Sequence, residues 1–211
     1  MTSSRFLINT SDDLRSAAEK LFDLDPRFRE LHECAGLPRL RRREGGLEGL
    51  ANIIVGQLIS TKAAQVIWAR VAAHLHPFEH EHISQMEIDE LASLGLTRVK
   101  AAAIRNVANA VRSGLFSFDD LHNMDDRQAR KSLVGLHGVG PWSADIYLMT
   151  CMGSADAWPG GDLAVRVGLQ RFEGMETVPD IKQMEVISQK WRPVRAVAAR
   201  YLWDYYASGK P

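Results

Sequence analysis

Apolar residues recur along this chain at intervals of three and four, and no segment keeps the apolar–polar alternation of a half-buried strand. The pattern predicts a succession of helices. Ser11 is placed to cap the first, which runs to about Asp23, with Asp12 and Asp13 in its opening turn. A short helix follows Pro26, and a third starts at Leu47, with Leu50, Ile54 and Leu58 on one face. The segment Gln57-Leu58-Ile59-Ser60 reads as a break, after which Ser60 or Thr61 caps a helix to about Leu75. His76 to His82 reads as a loop, and Ser84 opens a helix that ends near Gly95. Thr97 caps a strong helix carrying Val99, Ala102, Ala103, Val107 and Ala110, closed by Gly114. Asp125 caps a helix to Val134, and a glycine-rich turn leads to another that begins at Pro141. Three more are expected over 162–172, 179–190 and 193–207. The expectation is an all-α protein that forms one helical unit over residues 1–211, with no solenoid repeat and no clean linker.

Composition narrows the partners only a little. Of 211 residues 45% are apolar, enough for one sizeable core. Lysine plus arginine equals aspartate plus glutamate, so a nucleic-acid partner gains no support from net charge. Such a partner would have to be held by locally concentrated positive charge or by backbone N–H groups. Cys34 and Cys151 stand far apart, without metal-ligand spacing, and read as buried thiols in a reducing compartment. Met1 to Asn9 shows no signal peptide, and no stretch approaches the roughly 20 apolar residues of a membrane span. A soluble intracellular protein is expected.

The chemistry concentrates in two places. Leu133-Val134-Gly135-Leu136-His137-Gly138-Val139-Gly140-Pro141-Trp142-Ser143-Ala144 joins two helices through Gly-x-Gly. Glycines there permit positive φ and close backbone approach, and the free N–H groups opening the second helix can hold a phosphate without a basic side chain. An ordinary αα-hairpin capped by glycine would look the same. About twenty residues on, Pro159-Gly160-Gly161-Asp162-Leu163 places an aspartate after two glycines, by itself a plain helix N-cap.

Taken together, hairpin, glycine- and proline-rich loop and aspartate resemble the signature of the helix-hairpin-helix DNA glycosylase superfamily, over about Gly45 to Tyr206. The hairpin motif spans about 125–150 and the catalytic loop about 156–163. Gly56-Gln57-Leu58-Ile59-Ser60, Gly95-Leu96-Thr97-Arg98-Val99-Lys100-Ala101, Gly138 to Ala144, Trp191-Arg192-Pro193 and Tyr201-Leu202-Trp203 are similar to its DNA-3-methyladenine glycosylase II branch. That branch's extra N-terminal β domain is expected to be missing. The resemblance implies two helical subdomains flanking an active-site cleft, and a monomer acting on double-stranded DNA that contains damaged bases. It further implies base flipping and monofunctional release of alkylated purines such as 3-methyladenine and 7-methylguanine, in a bacterial cytoplasm or a eukaryotic nucleus.

By the same resemblance Asp162 is the catalytic carboxylate, stabilising an oxocarbenium-like sugar. Trp142 and Trp203 line the base pocket, attracting a cationic base, and Leu58 with Gln57 forms the wedge entering the DNA stack. Gly138, Val139, Gly140 and Ser143 hold DNA phosphate. No cofactor is required, although the carbonyls of Val134, Leu136 and Val139 are expected to bind Na⁺ or K⁺. Trp142 stands where bifunctional relatives carry a lysine, which removes the Schiff-base nucleophile, and without a four-cysteine cluster there is no iron–sulfur centre. Ile146 replaces a pocket tyrosine, with Tyr147 one place along and facing another side of the helix.

Each of these residues also has a plainer reading. From spacing alone Leu58 is a core leucine, and Trp68, Trp158 and Trp191 are read as core. His74, His76, His80 and His82, with Glu79 and Glu81, show no recognisable ligand spacing. Three rival functions follow: a glycosylase for oxidised or deaminated bases, a non-catalytic hairpin module that only binds DNA, and a helical protein-interaction domain.

Overall fold

The computed structural model describes residues 6–209, so the reading of residues 1–5 as free of a signal lies outside the described residues. The described residues are helical, with no strand beyond one isolated bridge between Leu7 and Ser154. They divide into two compact units. Among the described residues one comprises 6–42 and 148–209, the other 43–147. Because the first unit is assembled from both ends of the chain, and one crossing falls inside a helix, no linker composition marks the boundary. The single helical unit read from sequence is refined accordingly.

The unit of 43–147 holds α3 (Gly46–Gly56), α4 (Thr61–Leu75), α5 (His80–Gln85), α6 (Ile88–Ser93), α7 (Arg98–Arg112), α8 (Asp126–Val134) and most of α9 (Pro141–Thr150). Its centre is α7, against which α3, α5 and α6 pack. Thr97 caps α7 by accepting from Lys100 N–H at 3.3 Å, and Asp125 caps α8 in a capping box with Gln128. Ser60, not Thr61, caps α4. The expected 76–82 loop is shorter, since α5 starts at His80. Ser84 lies inside α5 and donates to the Glu81 carbonyl, so the region forms two short helices in place of one. A 3₁₀ turn over 120–123 precedes α8. Trp68 is not core: it is half-buried and stacks on Phe78 at 5.5 Å.

The other unit holds α1 (Ser11–Leu24), α2 (Arg27–Ala35), α10 (Leu163–Glu173), α11 (Ile181–Ser188) and α12 (Arg195–Ala207). Thr10 caps α1, reciprocated by Asp13, which displaces the expected cap Ser11 into the first turn. Helix α12 is buried along most of its length and receives α1, α2 and α10. Trp191 is fully buried, its Nε1 donating to Asp25 Oδ2 at 3.0 Å, with Trp158 packed edge-on at 5.8 Å. Cys151 is buried, but Cys34 is exposed, and both are free thiols. No helix among the described residues is long and apolar enough to cross a membrane.

Candidate functional site

In the unit of 43–147 the residues after α3 are held in an unusual way. The chain leaves the helix at Gly56, so Leu58 does not share the buried face of Leu50 and Ile54. Its φ is +56°, its side chain is fully exposed, and no other non-glycine residue described has a positive φ. A left-handed leucine costs roughly 1–2 kcal/mol and an exposed one recovers nothing by burial. Strain of this kind is kept where a function uses it. Gln57, expected beside it as part of the wedge, is half-buried. Its Nε2 donates to Ser143 Oγ at 2.9 Å and to the Gly138 carbonyl at 3.3 Å.

The hairpin is built by α8, the turn and α9. Arg130 makes a bidentate pair with the buried Asp145, Nε to Oδ1 at 2.6 Å and Nη2 to Oδ2 at 3.1 Å, which locks the two helices together. Gly138 has φ +91°, and a Cβ there would collide with Ala103 of α7. Gly140 does not have a positive φ, contrary to expectation. Its missing side chain leaves open space at the start of α9, next to N–H groups that a helix's first turn leaves without intrahelical acceptors. Ser143 is 1% exposed and its hydroxyl accepts from Gln57, so it braces the turn from inside while Gly138 and Gly140 form its surface. Val139 is buried as well. The Leu136 carbonyl accepts from Val139 N–H at 3.0 Å and retains one lone pair. Trp142 is half-buried at the second position of α9. Tyr147 is buried against Phe118, its hydroxyl accepting from Gly46 N–H at 2.8 Å.

In the other unit the loop before α10 is pinned at one end. Asp156 accepts from Arg192 Nη1 at 2.5 Å and from Arg195 Nε and Nη2 at 2.9 and 3.0 Å, while Trp158 is buried on Trp191. Past Gly160 and Gly161 the loop delivers Asp162 to the N-terminus of α10. There its Oδ1 accepts from Ala164 N–H at 2.9 Å and Val165 N–H at 3.1 Å. The same oxygen accepts from Trp203 Nε1 at 2.9 Å. That third bond depends on how closely α10 lies on α12: a Cβ on Gly168 would collide with the Leu202 carbonyl. Both Asp162 and Trp203 are half-buried, and the Arg41 guanidinium lies over the Trp203 ring at 5.4 Å. A carboxylate so oriented can stabilise a positive charge that develops beside it.

The expected residues thus fall into two groups. Gln57, Ser143 and Gly138 come together, with Leu58 next to them, and Asp162 comes together with Trp203. Trp142 and Trp203, expected as a pair, belong to different units. Among the described residues no group of three or more His, Cys, Asp or Glu side chains could hold a metal ion; His80 contacts Glu81 at 3.0 Å. Sequence reasoning missed Lys100, whose Nζ donates to the Val55 carbonyl at 2.8 Å inside the protein.

A family profile described as HhH-GPD superfamily base excision DNA repair protein matches residues 51–193. A Mycobacterium tuberculosis protein named probable bifunctional transcriptional activator/DNA repair enzyme AlkA is 28% identical over 209 residues, covering 94% of this chain and 41% of that one. A Bacillus subtilis DNA-3-methyladenine glycosylase is 29% identical over 124 residues, 59% of this chain and 41% of the relative. The chain therefore spans less than half the length of these two relatives. The structure of Schizosaccharomyces pombe 3-methyladenine DNA glycosylase, in complex with abasic DNA, superposes with a TM-score of 0.82 at 23% identity. That match covers 90% of this chain and 95% of the other.

Proposed function

Since the chain belongs to the HhH-GPD superfamily of base excision DNA repair proteins, we propose that it excises alkylated purines from double-stranded DNA by N-glycosidic hydrolysis. The observation that carries this reading is Asp162, whose Oδ1 is fixed by two α10 amides and by the indole of Trp203. Relatives named for 3-methyladenine support the lesion class.

The chemistry then runs as follows. The hairpin surface at Gly138 and Gly140 grips a phosphate through backbone N–H groups, and Leu58 fills the gap left by the extruded nucleotide. An N-alkylated purine is cationic, so the bond from C1′ to the base nitrogen breaks with its electron pair going to the base, which departs neutral. Asp162 stabilises the oxocarbenium left on the sugar and takes the proton of the water that adds to C1′. The products are a free base and an abasic site. Trp203 orients Asp162, and its ring offers a π-face to a cationic base. The carbonyls of Val134, Leu136 and Val139, uncharged oxygens in one turn, suit a monovalent cation, which would add positive charge beside the phosphate.

The test is single-turnover release of 3-methyladenine or 7-methylguanine from methylated duplex. Asp162→Asn keeps the acceptor oxygen that caps α10, so stability and DNA affinity should hold while release falls roughly 100- to 1000-fold. Near-normal release by the folded variant would reduce Asp162 to a cap and overturn the reading.

A further inference from the structure

Lysine at position 100 presents a physical puzzle. It is the third residue of α7, where the positive end of the helix disfavours a cation, and it is 9% exposed. Burial pulls its pKa below the ordinary lysine range, and no carboxylate pairs with it among the described residues. A buried ammonium without a counter-charge is costly and contributes nothing by packing that a methionine would not match. What it does have is the Val55 carbonyl at 2.8 Å. Val55 lies in the last turn of α3, whose carbonyls have no intrahelical donors and carry the negative end of the helix. Three residues on stands Leu58, exposed and left-handed.

The loop between α3 and α4 is therefore held from two sides. Lys100 anchors the end of α3 from below, and Gln57 ties the next residue to Ser143 and Gly138 of the hairpin. Between these ties and the Ser60 cap of α4, Leu58 is fully exposed, and Ile59 beside it is exposed to a lesser degree, 37%. We propose that Lys100 is a positioning residue that braces the α3 terminus, so that Leu58 is presented rigidly to the DNA stack and in fixed register with the phosphate-binding hairpin. The proposal rests on the reading of Leu58 as the wedge. The brace lowers the entropic cost of insertion, because the wedge is ordered before DNA arrives. Lys100 touches neither base nor sugar.

The experiment is a double-mutant cycle with Lys100→Met and Leu58→Ala. Single-turnover release of 7-methylguanine is measured when the lesion is paired with cytosine and when it faces a mismatch, where flipping is already cheap. 2-Aminopurine fluorescence beside the lesion reports unstacking. Lys100→Met should slow release from the paired duplex about tenfold, the scale of one charged hydrogen bond, and from the mismatch by about twofold or less. In the Leu58→Ala background it should add nothing, because no wedge remains to position. Equal losses on both duplexes, or a full additional loss without the leucine, would make Lys100 an ordinary helix cap and overturn the proposal. If Leu58→Ala itself affects both duplexes equally, the wedge reading is what fails, and the brace falls with it. Lys100→Gln, too short to reach Val55, serves as the second variant and must give the same pattern.

Discussion

Replacing Leu58 by glycine should separate stability from activity in opposite directions. In a leucine that packs a core, truncation leaves a cavity and costs about 2–5 kcal/mol. Here the side chain is fully exposed, so nothing is lost by removing it, and the backbone at φ +56° is one that glycine adopts freely. Relief of left-handed strain returns roughly 1–2 kcal/mol, against about 0.5–1 kcal/mol for the greater freedom of glycine in the unfolded chain. The net is a gain of about 0–1.5 kcal/mol. For a protein of this size that raises Tm by roughly 0–6 °C. Leu58→Ala keeps the strain and should leave Tm within about 2 °C of wild type. Activity should move the other way. A leucine buried in the DNA stack contributes about 1.5–3 kcal/mol to the flipped state, so either variant should release 7-methylguanine from a paired duplex roughly 10- to 100-fold more slowly. The assays are thermal unfolding and single-turnover release on paired and mismatched substrates. A drop in Tm of 5 °C or more would mean that Leu58 packs against the protein, and undiminished release would remove it from the flipping machinery.

Two further outcomes test other parts of the structure. Gly138→Ala should lower Tm and weaken binding to damaged and undamaged DNA alike, because its Cβ collides with Ala103 and its φ of +91° is strained for alanine. Gly140→Ala should leave Tm unchanged and lose affinity only through the crowded surface, and filter binding with thermal unfolding distinguishes the two. In acid, Asp25 should contribute measurably: burial raises its carboxyl, but hydrogen bonds from Arg27 and Trp191 and the charges of Arg27 and Lys190 outweigh this and hold it at about 2, below its ordinary 3.8. The resulting stabilisation, about 2 kcal/mol, is complete above pH 4 and lost as pH falls through 2. Asp25→Asn should flatten that part of the urea-unfolding profile, and an unchanged acid limb would refute the assignment.

The local pieces of this protein can be read from its sequence because local bonds make them. Thr97, Asp125 and Asp162 cap their helices through side chains that reach amides two or three residues on, and such bonds need no partner from elsewhere. The hairpin and the aspartate after two glycines were visible for the same reason. The α7 face was read less well. Val99, taken as part of its apolar stripe, is exposed, while Lys100 is buried, because a lysine reads as surface until a helix terminus elsewhere supplies an acceptor. Leu58 looked like the next residue of a buried stripe, and only the break at Gly56 turns it outward. The side chain of Gln57 reaches residues more than eighty positions away, and the closeness of Gly168 to Leu202 sets the bond from Trp203 to Asp162. Sequence by itself determined most of the helices, several of their caps and the residue types available for phosphate binding and charge stabilisation. The tertiary structure alone decided which of those residues are held, strained or exposed, since each such outcome depends on a partner that the chain brings near only when it folds.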